Sequence, residues 1–412
     1  MRNKTDERYL RNTFFASVFF FAVALIFPFN IRNLTVFLLL SAIGISFFYP
    51  QRENTQCFNK AVFFNSIFSF FLLISLSYTE NVDYGLKRMM AMTCLFIFPV
   101  AFFQINTRIN INYNKLSERL YMLFFISCMI FFVGIFIQNY FKDFLNEFIF
   151  RDYPERLNSK YGGYSMHPVY ASLYIVISLF FGTKIYRKLK KRRHKIIFYI
   201  CILFLAFVLI ILARKGIILF TLFAFSAYFL KLKKKKKTVY FIVITIILFA
   251  ITIIIPPIRG RYVELIDSIV NYNNITKIGS TTIRFNIFKL ASMAISDNVM
   301  FGYGIGDTKD VLISYYKTRP EIFEREYYNS HNQFLSAWLS AGILGFASFI
   351  AMLVYNLRLA IKSCDFVYKA IVLMFLFVCL TENILERQSG ALLFSFFINF
   401  FAFKTLVKLN NK

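Results

Sequence analysis

Residues 184–237 read KIYRKLKKRRHKIIFYICILFLAFVLIILARKGIILFTLFAFSAYFLKLKKKKK, and this stretch decides the fold. Two dense basic runs, Lys184–Lys195 and Lys231–Lys237, enclose an apolar stretch from Ile196 to Phe229 that is broken only at Arg214-Lys215-Gly216. A helix crosses a bilayer with roughly 20 apolar residues, so each half of the stretch is close to the length of one span. Basic residues flanking such a hairpin mark the cytoplasmic side, and the tip at Arg214 then lies on the other side.

Apolar runs of the same kind extend in both directions. They cover 14–29, 34–49, 61–78, 89–105, 120–140, 169–182, 196–212, 216–230, 238–255, 333–355, 370–385 and 391–403. About twelve spans put both termini on one side, and that side is the one holding the basic runs. No small-residue cleavage site separates the first two runs, so the first reads as an uncleaved span. Composition agrees, since 58% of the 412 residues are hydrophobic and Phe alone contributes 56. A soluble chain of this length needs more polar surface.

Almost all of the net charge of +27 falls on the predicted cytoplasmic side. Topology accounts for that excess, and no nucleic-acid partner is implied. The six cysteines are all predicted to be intramembrane or cytoplasmic, so no disulfide framework is expected. The expectation is an all-α polytopic protein forming a single integral membrane domain, 1–412, with no soluble domain at either end.

The outer side is uneven. A large loop, 256–332, separates spans nine and ten, and a smaller one runs from Phe141 to Pro168. Loops of this size usually carry structure or function. Ser280-Thr281-Thr282 can cap a helix reaching about Ser296, with Ile283, Ile287, Leu290 and Ala294 on one face. Next comes Phe301–Asp307, FGYGIGD. Its glycines suit a tight turn better than a phosphate cradle, because no strand precedes them and no Lys stands at phosphate-loop spacing.

Of three histidines, His194 belongs to the basic run and His167 reads as a turn residue before Pro168. His331 lies in SHNQF, where the large loop re-enters the membrane. Ser330 with Gln333 matches an S-x-x-Q capping box, which would set His331 in the first helical turn. The positive helix end there favours a neutral imidazole, the form a general base needs; the bland reading is a solvated interfacial histidine.

Arg214 and Lys215 sit at membrane depth on the side where topology gives no reason for basic residues. Arg284 falls in the first turn of the outer helix, where a cation calls for an anion nearby. Guanidinium groups bind phosphate bidentately. The alternative is that these arginines pair with acids such as Glu264, Asp297 or Glu386. No metal site is expected: the first outer loop, Asn30–Asn33, has no acid, and Asp307 with Asp310 lacks a third ligand.

Taken together, ARKG at Arg214, STTIRFNIFKLA at Arg284, the FGYGIGD turn and SHNQFLSAWLSAGILG resemble the O-antigen ligase and polymerase family of bacterial inner membranes. The likeness covers about 160–400, including a Wx₃GxxG pattern from Trp338 to Gly345. It implies a GT-C-like, metal-independent helical glycosyltransferase with no cofactor. Its donor would be a glycan on undecaprenyl pyrophosphate. Its acceptor would be a sugar hydroxyl of lipid A–core or of another glycan.

The resemblance also assigns roles. His331 matches the family's proposed base, and Arg214 and Arg284 match its pyrophosphate-binding arginines; Lys215, which follows directly, can share the phosphate. A polymerase using the same donor is the nearest alternative, and a transporter or flippase is the alternative of another class. Both termini would be cytoplasmic in a bacterial inner membrane. A reporter active only outside the cytoplasm should work when fused after Tyr315 and stay silent after Lys234. The opposite pattern would invert the topology.

Overall fold

A polar backbone in hydrocarbon must satisfy its own hydrogen bonds, and a helix does so within one segment. The computed structural model describes residues 4–27, 29–51, 56–143, 166–212, 214–231, 280–320, 322–323 and 328–410, with positions 259, 260, 263 and 266, and contains no strand among them. In chain order the helices are α1 (Lys4–Ala24), α2 (Phe29–Ile45), α3 (Asn59–Ser75), α4 (Val82–Met92), α5 (Cys94–Arg108), α6 (Tyr113–Asp143) and α7 (Pro168–Tyr186). They continue with α8 (Arg192–Ile211), α9 (Lys215–Lys231), α10 (Ser280–Asp297), α11 (Thr308–Tyr316), α12 (Gln333–Ser363), α13 (Phe366–Cys379) and α14 (Gln388–Asn410).

Among the described residues, 8 helical stretches are long and apolar enough to cross a membrane, and α9 and α13 are shorter apolar helices. Every predicted span except 238–255 coincides with a helix. Span 238–255 lies outside the described residues, as do most of the 141–168 loop and much of 256–279.

The chain forms two compact units, one of residues 1–56 and 101–225, the other of 57–100 and 226–412. In the first, α7 is buried along most of its length. The His167 ring accepts from the Val169 N–H at 3.4 Å, and Pro168 takes the first helical position, so His167 caps α7 as its sequence setting suggested. Tyr121 of α6 stacks on Phe181 of α7 at 4.4 Å. Arg108 donates to the Tyr49 carbonyl at 2.7 Å, Glu7 accepts from the Asn110 N–H at 3.2 Å, and Lys188 pairs with Glu118. All six residues belong to segments predicted to share one side of the membrane.

In the second unit α3 packs along α12, and α14 is buried almost all round. A chain of asparagine hydrogen bonds ties this core together. Asn65 donates to Asn399 at 2.8 Å, Asn356 donates to Asn65 at 2.6 Å, and Tyr368 donates to Asn356 at 2.9 Å. Polar bonds between helices in lipid are worth about 0.6 kcal/mol each on average, so they select a packing more than they drive it. At one end of this unit Lys404 meets Asp365 at 3.3 Å and Asn410 meets Cys57 at 2.9 Å, again joining segments predicted to share a side.

The predicted span 333–355 lies on a long apolar helix that is not continuous. α12 is broken at Ala341-Gly342, where Gly342 has φ +60° and ψ −156°. The break is occupied by the turn that follows α10. Tyr303 N donates to the Leu339 carbonyl at 2.7 Å, while the Val299 carbonyl accepts from Ile343 N at 3.0 Å and from Trp338 Nε1 at 3.0 Å. The part before the break packs by Leu335, Trp338 and Leu339 against Ile287, Leu290 and Ala291 of α10. Its apolar face therefore packs on α10, and sequence hydropathy alone could not tell that burial from a lipid contact. The part after the break, 343–363, is about 31 Å long, close to the thickness of a hydrocarbon core.

A Cβ at Gly342 would lie 2.0 Å from the Met300 carbonyl oxygen, in a backbone region L-residues rarely adopt. Gly342→Ala should cost at least about 2 kcal/mol. It should also shift the emission of Trp338, the single tryptophan, as its bond to Val299 is lost. A variant with unchanged melting temperature and unchanged emission would contradict this break.

Candidate functional site

The second unit brings His331 and Arg284 together through a residue not singled out in the sequence, Glu382. One Glu382 oxygen accepts from Arg284 Nη2 at 2.7 Å, and the other lies 3.4 Å from His331 Nδ1. His331 and Glu382 are mostly buried, with side-chain exposures of 25% and 19%. Arg284 is held by α10, which begins at Ser280 as expected and buries Ile287, Leu290 and Ala294. The anion that Arg284 calls for is thus Glu382. Glu386 pairs with another cation.

The expected capping box is not formed. Asn332, not Ser330, caps α12, its side-chain oxygen accepting from the Phe334 and Leu335 N–H groups at 2.9 and 3.2 Å. Gln333 points away from the cap and accepts from Leu385 N at 3.0 Å. His331 therefore precedes the helix and takes φ +44°, a region uncommon for residues other than glycine. Its N–H donates to Asn329 Oδ1 at 3.1 Å. The orienting partner of the imidazole is a carboxylate, and the first-turn position inferred from the sequence does not apply.

The segment 382–386 grips the histidine loop at nearly every residue. Glu382 meets His331, Asn383 bonds Ser330 at 3.0 Å, Leu385 N bonds Gln333, and Glu386 accepts from Ser336. Glu386 in turn pairs with Arg88 of α4 at 2.8 Å. Arg88, only 6% exposed, also donates to the Ile305 carbonyl at 2.7 Å, to Thr308 Oγ1 at 2.5 Å and to Ser336 Oγ at 3.2 Å. One guanidinium so joins α4, the glycine turn, the start of α12 and the 382–386 segment.

The glycine turn itself is structural. Gly302 and Gly304 have φ of +67° and +89°, and a Cβ at Gly306 would lie 2.2 Å from the Asn81 carbonyl oxygen. Asp307 accepts from Thr79 Oγ1, Glu80 N and Asn81 N at 2.9, 2.8 and 2.7 Å, and Asp310 accepts from Asn81 Nδ2 at 3.0 Å. Gly306 N donates to Thr79 Oγ1. The carboxylates and the amide that a phosphate or metal reading would recruit already hold the 79–81 loop. Close by, the Tyr315 phenol is raised above its ordinary value, first by its hydrogen bond to Asp297 and then by burial. Among the described residues no group of three or more His, Cys, Asp or Glu side chains gathers as a metal site would require.

Arg214 and Lys215 belong to the other unit. The Arg214 carbonyl accepts from Ile218 N at 3.0 Å, so Arg214 stands at the cap of α9 and Lys215 begins its first turn. Two cations at a helix N-terminus oppose its dipole, a setting that an anionic ligand would relieve. Their sequence signal, a charged break in an apolar hairpin, is what exposed them. Glu382 carried a comparable signal that went unused, being an acid inside the predicted span 370–385.

A helical chain with several membrane-length apolar helices and a partly buried His–Glu–Arg cluster within its second unit is the class these features define. Residues 199–350 match the family model described as O-antigen ligase, which bears out the resemblance read from the sequence over that part of the chain. The matched region contains Arg214, Arg284 and His331, and it ends before Glu382. A comparison with curated proteins found no match.

Removing one partner of a buried ion pair leaves a bare charge and typically costs about 3–5 kcal/mol. Arg88→Ala should therefore destabilise the protein in detergent by an amount in this range. A paired Arg88→Met, Glu386→Leu variant should recover much of the loss. Equal melting of wild type and Arg88→Ala would show that the pair is not buried.

Proposed function

We propose that the protein is an O-antigen ligase-like glycosyltransferase working at the periplasmic face of a bacterial inner membrane. It moves a glycan from undecaprenyl pyrophosphate to a sugar hydroxyl, with lipid A–core as the acceptor that the ligase branch implies. The observation that carries this reading is the carboxylate beside His331 Nδ1. With Nδ1–H donated to Glu382, the Nε2 lone pair is left to take a proton, and a fixed tautomer is what a general base requires.

The reaction then needs few groups. The acceptor hydroxyl oxygen attacks the anomeric carbon, and its proton passes to His331 Nε2. The bond from that carbon to the pyrophosphate oxygen breaks, and undecaprenyl pyrophosphate leaves with the electron pair. A guanidinium has five N–H donors, so Arg284 can hold Glu382 and still present N–H groups to a phosphate. Arg214 and Lys215 supply further positive charge for the pyrophosphate. Direct displacement inverts the anomeric carbon, so an α-linked donor gives a β-linked product. No step calls on a metal ion.

His331→Ala should insert and bind donor while turnover falls by about two orders of magnitude or more. Near-normal turnover would make the histidine an interface residue. Arg214→Ala and Arg284→Ala should weaken donor binding, with only partial rescue by Lys because the bidentate geometry is lost. Activity should persist in EDTA; its loss, with recovery on adding magnesium or manganese, would reveal a metal requirement.

A further inference from the structure

The residues Val299-Met300-Phe301 form an exposed apolar tip on a fixed backbone. Phe301 is 69% and Met300 62% exposed, among the most exposed large apolar residues of the second unit. Their main chain is nonetheless tied down. The Val299 carbonyl holds Trp338 and Ile343, the Phe301 carbonyl accepts from Tyr78 Oη at 2.7 Å, and the Met300 carbonyl sits against Gly342. A pinned loop that turns consecutive large apolar side chains outward marks an interaction surface.

Its position in the fold identifies the occupant. The tip fills the break in α12, which is where the helix changes partners. Before the break no large apolar side chain of α12 is strongly exposed; after it Leu344, Val354 and Ile361 are. The exposed apolar surface of α12 therefore starts at Leu344, one turn or less from the tip. Beyond the tip, Tyr78 is also exposed, and the single Trp338 lies beside it, aromatic residues of the kind enriched at a membrane–water boundary.

We propose that Met300 and Phe301 insert into the outer leaflet among lipid acyl chains and anchor α10 and α11 at a set height on the bilayer. The segment from Gln333 to the break is about 12 Å of helix and His331 precedes it by two residues, so His331 lies within roughly 20 Å of the anchor along the chain. The site would then be held just outside the hydrocarbon, at the level of lipid headgroups. This proposal concerns the membrane alone and stands whatever the protein transfers.

The full chain carrying Phe301→Trp and Trp338→Phe is reconstituted in phosphatidylethanolamine–phosphatidylglycerol vesicles. Bromine atoms are placed at shallow or deep acyl positions. The tryptophan at 301 should lose at least about half its emission to shallow bromines, less to deep ones, and be shielded from acrylamide. Ser314→Trp in the Trp338→Phe background, on an exposed position of α11, should behave oppositely. Because Trp338→Phe removes one bond to Val299, Phe301→Trp with Trp338 retained is read as a difference and must agree. Quenching by acrylamide without quenching by bromine would place the tip in water. Shielding from both would mean protein covers it. Either result overturns the anchor.

Discussion

Burying a guanidinium and a carboxylate removes both from water, and only close pairing with every remaining hydrogen bond satisfied offsets that cost. Arg88 and Glu386 meet most of that condition by recruiting the Ile305 carbonyl, Thr308, Ser336 and Asn383, with only the buried Arg88 Nε left without a partner. These groups come from four segments far apart in sequence, so the pair can be satisfied only when all four are in place. Its value lies less in net stability than in permitting one arrangement. An alternative packing of α4 or of the 382–386 segment would strand a charge in a dry interior.

Everything at the site hangs on that arrangement. Glu386 fixes the short stretch that carries Asn383 and Glu382, and these two grip Ser330 and His331. The uncommon backbone of His331 is held from both sides, by Asn329 on its own amide and by Asn383 on the preceding residue. Arg284 arrives from a different direction, on a helix whose buried face packs against α11 and the start of α12. The ionic contacts and the apolar packing so converge on one carboxylate.

Much of this was legible in the sequence because hydropathy and charge report directly on transfer from water. Helices coincide with the predicted spans throughout the described residues, and segments assigned to a common side meet at the same end within each unit. The face of α10 was readable because one helical period carries it from Ile283 to Ala294. Three features were not readable. The cap at Asn332 competed with an equally good motif at Ser330, and local sequence does not rank two short polar side chains. The break at Gly342 sat in an apolar run, where hydropathy cannot separate a helix packed on protein from one packed on lipid. Glu382 lay at a span end, and its partners lie about fifty and a hundred residues away, a distance that no local pattern spans.

The break and the ion pair solve one physical problem between them. A charged site beside a membrane cannot sit in hydrocarbon, where an isolated ionisable group costs several kcal/mol. If α12 entered the bilayer at Gln333 as an unbroken span, Ser336 and the Arg88–Glu386 pair beside it would be drawn toward the hydrocarbon. The break at Gly342 ends the first part of the helix and leaves Gln333–Ser340 packed against α10. The apolar face that those residues still carry is then covered by α10, whose own polar edge presents Arg284. A single glycine, able to adopt positive φ and to admit a carbonyl where a side chain would stand, separates the longer part of the helix, 343–363, from the part that follows His331.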